Sequence, residues 1–210
     1  MGKFISFCGI DGCGKTTQAE MLVTHLVNLG FDVVHLRGFN PPKYSGELKK
    51  IAKKIKHDFH DMFSSDMRTA SFILDLINVT ANTIIPAIEE NRIVVSEKYF
   101  IDTQIYAPLL GTRVEQVEML SKSLLTPDLY LYLDIPAEKS ISRIKKRAIS
   151  KNIPIAPKES IEIAKCAQQQ FTFFAEQNNE KCIVFSAEQN PNALHEQITK
   201  AVIEYLKKEV

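Results

Sequence analysis

The 210-residue chain has no tryptophan, only eight glycines and nine prolines, and no apolar run near the roughly 20 residues of a membrane span. With 45% hydrophobic residues and no low-complexity stretch, this argues for an ordinary globular protein and against disorder beyond the ends. The length suits one well-buried core, so a single domain over 1–210 is expected. Excess charge is also lacking. The formal net charge is +1 with both signs interspersed, which argues against nucleic-acid and membrane-surface partners. The one basic cluster, Lys49-Lys50, Lys53-Lys54 and Lys56, reads as a solvated helix face or as a surface for an anionic ligand or partner. The four cysteines, Cys8, Cys13, Cys166 and Cys182, form no C-x-x-C pair and no metal spacing, so reduced thiols in a cytoplasmic setting are expected. The N-terminal apolar run is too short for a signal peptide. The five histidines, His25, His35, His57, His60 and His195, show no metal pairing and receive no role.

What is present is concentrated in GIDGCGKTTQ, Gly9 to Gln18, between the apolar run from Phe4 to Cys8 and an amphipathic segment from Ala19 to Leu29. Gly9, Gly14, Lys15 and Thr16 satisfy G-x-x-x-x-G-K-[ST] in the context of strand before and helix after that the pattern requires. Small residues let the backbone curl so that successive N–H groups face a phosphate, and the helix adds its positive N-terminal end. Lys15 then reaches the β and γ phosphates, and Thr16 offers its hydroxyl to Mg²⁺. Gly12, Cys13 and Thr17 complete the donor-binding set. Cys13 reads either as a reactive thiol at a helix N-terminus or as a small residue that fits.

Further along, Asp32 to Arg37 reads as a strand, Gly38 to Pro42 as a loop and Tyr44 to Lys56 as a helix. A longer helix covers Asp66 to Glu90, interrupted or ended near Pro86. Ile93-Val94-Val95 and Leu129 to Leu133 have the continuous apolar character of buried parallel strands, with a helix from Arg113 to Leu125 between them. Ala137 to Arg147 is helical, Ala148 to Lys158 a loop, Glu159 to Gln177 helical, Cys182 to Phe185 the last strand, and a final helix runs to Lys207. Five strands alternating with helices predict an α/β fold, a five-stranded parallel sheet flanked by helices with a short lid over about 148–158. Ligands of such sheets lie beyond the carboxyl ends of the strands, so Arg37, Glu97 to Tyr99 and Asp134 are expected beside the phosphate loop.

From Lys3 to about Arg147 the chain resembles the thymidylate kinase family of P-loop nucleoside monophosphate kinases. FCGIDGCGKTTQ is similar to that family's phosphate loop, LRG at Leu36 to Gly38 to its acceptor loop, and SFILDL to its substrate-facing helix, with Phe72 at the base-stacking position. IVVSEKYFIDTQIYA is similar to its third strand and following helix, and PDLYLYLDIPAEKSISRIKKR to its fourth strand and the helix leading to the lid. Four departures accompany the likeness. Glu97-Lys98-Tyr99 replaces Asp-Arg-Tyr, exchanging a bidentate fork for a point charge. Leu76 stands where the family has a base-reading Arg, Ala107 follows Tyr106 in place of a Gln, and the lid lacks the family's Asp-Arg-Ile-Glu-like stretch.

The resemblance implies an enzyme that uses ATP and Mg²⁺ to phosphorylate dTMP or a related (deoxy)nucleoside monophosphate, acting as a homodimer. It implies catalytic roles for Lys15, Arg37, Glu97, Lys98 and Arg147, Mg²⁺ at Thr16 and Glu97, and the donor nucleotide also at Arg143. Lys151 and Lys158 follow Arg147 and Arg143 as sources of the lid charge. Acceptor contacts fall to Asp11, Arg37, Phe72, Lys98, Tyr99, Thr103 and Tyr106. With Leu76 as an apolar wall, acceptor choice is expected to be relaxed or shifted, and Leu76→Arg to raise the preference for dTMP. Two alternatives stand beside this reading: a kinase of a different phosphorylated small molecule, and a nucleotide-binding protein with weakened catalysis. A guanine-reading switch is disfavoured because no N-K-x-D stretch occurs.

Overall fold

The computed structural model describes residues 2–38, 42–152 and 160–208. Five strands, β1 (Lys3–Cys8), β2 (Val33–Leu36), β3 (Ile93–Ser96), β4 (Leu129–Asp134) and β5 (Cys182–Ser186), form one all-parallel sheet in the order β2-β3-β1-β4-β5. β1 is central, and every one of its residues is buried. This is why Phe4 to Cys8 reads as a mostly apolar run with one serine in it, and not as an alternation. The expected α/β architecture is the one observed.

Helix α1 (Lys15–Asn28) follows β1 and buries Ala19, Leu22 and Leu26 in the larger apolar cluster, together with Ile5 and Phe7 of β1 and Ile198 and Val202 of α10 (Pro191–Lys208). A second cluster holds Phe4, Leu36, Leu76, Val79, Ile84, Val94 and Tyr99. Phe4 and Ile5 are adjacent in β1 yet belong to different clusters, as the two-residue period of a strand requires.

The long helix expected near Pro86 is α4 (Ser65–Val79), a π-helical turn over Thr80–Ile84, and α5 (Ile85–Glu89). Proline removes one backbone donor and crowds the preceding turn, so the widened turn is placed where the ladder fails. Contrary to the sequence expectation, the stretch Ser65–Glu89 is long and apolar enough by length and composition to cross a membrane. Its apolar residues Leu76, Val79, Ile84 and Ala87 are buried in the second cluster. The remaining helices are α2 (Tyr44–Lys54), α3 (Phe59–Met62), α6 (Phe100–Leu109), α7 (Val114–Ser121), α8 (Ala137–Lys151) and α9 (Ile161–Gln177). The short α3 was not expected. Its signal is the Asp58 side chain, which accepts the His60 N–H at 2.7 Å and starts the turn. Residues 148–151, read from sequence as the start of a loop, continue α8, and 153–159 of the expected lid lie outside the described residues.

Candidate active site

The phosphate loop turns on three glycines in the left-handed region, Gly9 (φ 136°), Gly12 (φ 85°) and Gly14 (φ 110°). At Gly9 and Gly12 space is closed as well: a Cβ would come 2.7 Å from the Leu133 carbonyl oxygen and 2.9 Å from that of Ser140. Gly14 caps α1 without any side-chain acceptor, so the first-turn N–H groups stay available to an anion. Lys15 is 5% exposed. Its Nζ donates to Gly9 O at 2.5 Å and Ile10 O at 3.1 Å, and faces Asp102 Oδ1 at 3.7 Å and Asp11 Oδ1 at 3.9 Å. Burial opposes the charge on Lys15, but Cys13, Asp102 and Asp11 more than offset it and hold the pKa above the ordinary lysine value. Cys13 is itself buried, and burial pushes its thiol up, so of its two sequence readings the structure takes the small residue that fits.

The turn after β3 meets this loop. Thr16 Oγ1 donates to Glu97 Oε2 at 2.7 Å, and the other carboxylate oxygen of Glu97 lies 3.1 Å from His35 Nε2. His35 had no role in the sequence reading. The available signal was its place two residues before Arg37 on β2, which the sheet sets beside β3. Lys98 Nζ donates to Asp11 Oδ1, so one carboxylate oxygen contacts both Lys15 and Lys98. Tyr106 OH accepts the Asp11 N–H at 3.1 Å, which ties α6 to the loop. Thr103 is buried on the same helix. Tyr99 departs from expectation. It is 1% exposed, its ring stands edge-on to Phe4 with centroids 4.9 Å apart, and its hydroxyl pairs with Thr80 at 2.7 Å, so it packs the core behind the site.

A cavity of about 610 Å³ opens on the loop, lined by Asp11 to Gln18, by Lys98, and by Arg143 and Arg147 of α8. Arg143 donates to Cys13 O at 3.4 Å and to Ala187 O at 2.9 Å, bridging the loop to the turn after β5. Ala187 and Gln189 of that turn and Pro191 at the start of α10 also line the cavity. The sequence reading missed them because nothing in a short Ala-Glu-Gln-Asn-Pro turn distinguishes a cavity wall from a connection. Arg37 is not among the lining residues: its side chain is 60% exposed and pairs with Glu20 at 3.0 Å. Asp134 also stays outside the cavity, accepting from Tyr132 OH and Gln168 Nε2, each at 3.0 Å.

On α4, Phe72 is half-buried, with its ring 6.4 Å from that of Phe59 on α3. Lys49 Nζ of α2 lies 5.6 Å from the centroids of both rings. Leu76 does not form a pocket wall: it is fully buried in the cluster of Phe4, Val94 and Tyr99. Arg68 is taken up by the His60 and Phe63 carbonyls.

A family model described as thymidylate kinase matches residues 7–198. A thymidylate kinase of Caldanaerobacter subterraneus subsp. tengcongensis is 31% identical over 211 residues, covering 98% of this chain and 97% of the relative. Thymidylate kinases of Thermoanaerobacter sp. strain X514 and Thermoanaerobacter pseudethanolicus are each 28% identical over 209 residues, with 98% and 99% covered. A phosphate loop at the centre of a parallel sheet and a match over nearly the whole length lead to one conclusion: the chain belongs to the thymidylate kinase family, ATP-dependent nucleoside monophosphate kinases.

Proposed function

We propose that this protein, as a single kinase unit, moves the γ-phosphoryl of Mg-ATP onto the phosphate of dTMP or a related pyrimidine deoxynucleotide, releasing ADP and a nucleoside diphosphate. The observation that carries the proposal is the shared Asp11 oxygen. It sets the loop cation Lys15 and the strand-end cation Lys98 against one point, between the donor loop and the side the acceptor phosphate would approach. Phosphoryl transfer asks for position and charge, with little covalent work from the protein. Lys15 and the loop amides would hold the β and γ phosphates. Lys98 would hold the acceptor phosphate, joined by Arg37 once it leaves Glu20, an exposed pair whose loss costs little.

Mg²⁺ commonly takes one or two protein oxygens and completes its shell with phosphates and water. Thr16 Oγ1 and Glu97 fit that need: they lie 2.7 Å apart beside the loop, with the other Glu97 oxygen facing His35 Nε2 at 3.1 Å. When bound, the ion neutralises charge building on the transferring oxygens.

Phe72 would stack the acceptor base, and Lys49, the cation over its ring, would donate to a ring carbonyl where the family's Arg is replaced. A coupled ADP-release assay across the common nucleoside monophosphates tests the function. dTMP is expected to be the best acceptor; activity confined to other monophosphates would remove the acceptor reading, and none at all the kinase reading. In the same assay Phe72→Ala should raise the dTMP KM roughly tenfold through lost stacking. Lys49→Ala should narrow the gap between dTMP and other pyrimidine monophosphates.

Arg147 lines the donor cavity from an exposed position on α8. A charge delivered as the site closes acts mainly in the transition state, so Arg147→Ala should lower kcat more than it raises the ATP KM. An unchanged kcat would shift that role to Arg143 or Lys151. A homodimer is supported by exposed apolar side chains on two neighbouring helices, Met67 and Leu74 of α4 and Val114 and Met119 of α7.

A further inference from the structure

Beside Lys15 lies a buried carboxylate that the transfer chemistry does not use. Asp102, in the first turn of α6, is 4% exposed. Its Oδ2 accepts the Tyr99 backbone N–H at 3.4 Å and caps the helix. Its Oδ1 receives no hydrogen bond among the described residues and faces Lys15 Nζ at 3.7 Å. A capping box asks the third helical residue for one oxygen, which a neutral amide side chain also supplies. A full charge at this depth is costly unless it is paired, so the pairing with Lys15 sets its state.

The groups around Asp102 come from several elements. Lys15, Cys13 and Asp11 belong to the loop and the start of α1, Lys98 to the turn after β3, Cys8 to β1, Tyr130 to β4 and Tyr106 to α6 itself. Of these, Lys15 and Lys98 are the cations, and Asp11 contacts both. Burial pushes the Asp102 carboxyl up to about 6, with Lys15 and Lys98 acting against it. A phosphate held by the loop competes for Lys15 and brings its own negative charge close to Asp102. Both changes favour the neutral acid.

We propose that Asp102 is a positioning residue that holds Lys15 inward through its free oxygen and accepts a proton from solvent as the donor phosphates engage the lysine. The site thereby gains phosphate charge and loses one carboxylate charge, with no bond made or broken beyond O–H. Nucleotide affinity then carries a pH dependence that belongs to this chain's own acid. The proposal rests on the donor-loop reading given above.

Calorimetric titration of the intact protein with ADP at pH 7, in buffers of unlike ionisation enthalpy, counts the protons. Wild type should take up at least roughly half a proton more per site than Asp102→Asn or Asp102→Ser. Between pH 6 and 8 its ADP affinity should fall relative to either variant, by up to about tenfold per pH unit. Equal proton counts and parallel pH profiles in wild type and a folded variant would overturn the assignment. Should neither variant fold, infrared difference spectra of wild type on adding ADP decide: a new carbonyl stretch of a protonated carboxyl is expected, and its absence overturns the proposal. Failure of ADP to bind wild type would overturn the donor-loop reading and this inference with it.

Discussion

Lys15→Ala should reduce ADP release by roughly a thousandfold, the loss expected when one preorganised donor is withdrawn from the charge that develops in transfer. The change removes the group proposed to meet the β and γ phosphates and also the pairing with Asp102 Oδ1, which is 3.7 Å away. Without its lysine the buried Asp102 carboxyl titrates higher still, so at neutral pH it becomes the neutral acid and the interior keeps no bare charge. The fold should therefore survive, with a single cooperative melt. Turnover within about tenfold of wild type would contradict the role of this loop, because a discrepancy that small corresponds to only about 1.4 kcal/mol.

Leu76→Arg should unfold the protein instead of sharpening its choice of acceptor. Leu76 is fully buried, packed with Phe4, Val94 and Tyr99 between α4 and the sheet. An arginine there deletes apolar burial, overfills the cluster and places a charge far from solvent, with a combined cost of more than about 4 kcal/mol. Against a usual total stability of about 5–15 kcal/mol this leaves little. Thermal melting and soluble yield measure it; a wild-type melting temperature with raised dTMP preference would show that the side chain reaches the acceptor after all.

That reversal marks where sequence reading stopped. Periodicity and the G-x-x-x-x-G-K-T spacing were enough for the five strands, the loop and its helix, because each is marked by a pattern of residue types within a short stretch. The meeting of Thr16, Glu97 and His35 was less legible. It depends on β2 and β3 being neighbours, and that register follows from the whole sheet. Facing was least legible of all. Phe72 and Leu76 are one helical turn apart, yet Phe72 stays half-exposed beside Phe59 while Leu76 enters the core. An alignment position assigns such residues the same environment as in a relative; the packing of this chain's Tyr99 and Phe4 decides otherwise. Asp102 was passed over for a similar reason, since an acid in a helix's first turn normally reads as a cap and nothing more.

The central place of β1 also has a consequence for how the protein is made. The Phe4 N–H donates to Asp128 Oδ2 at 2.7 Å, across a separation of 124 residues, and the strands beside β1, Ile93–Ser96 and Leu129–Asp134, both lie far along the chain from it. During translation, at about 5–20 residues per second, the strand that ends in the phosphate loop leaves the ribosome roughly 6–25 s before β4 exists to cover its second edge. Through that interval the Phe4 to Cys8 segment keeps at least one edge unpaired even after β3 has been made, and an apolar strand with a free edge is the kind that sticks to other nascent chains. The strand that leads into the phosphate loop is thus synthesised well before the strand that frames its second edge. Fragments ending before Leu129 should therefore be the ones that need a chaperone.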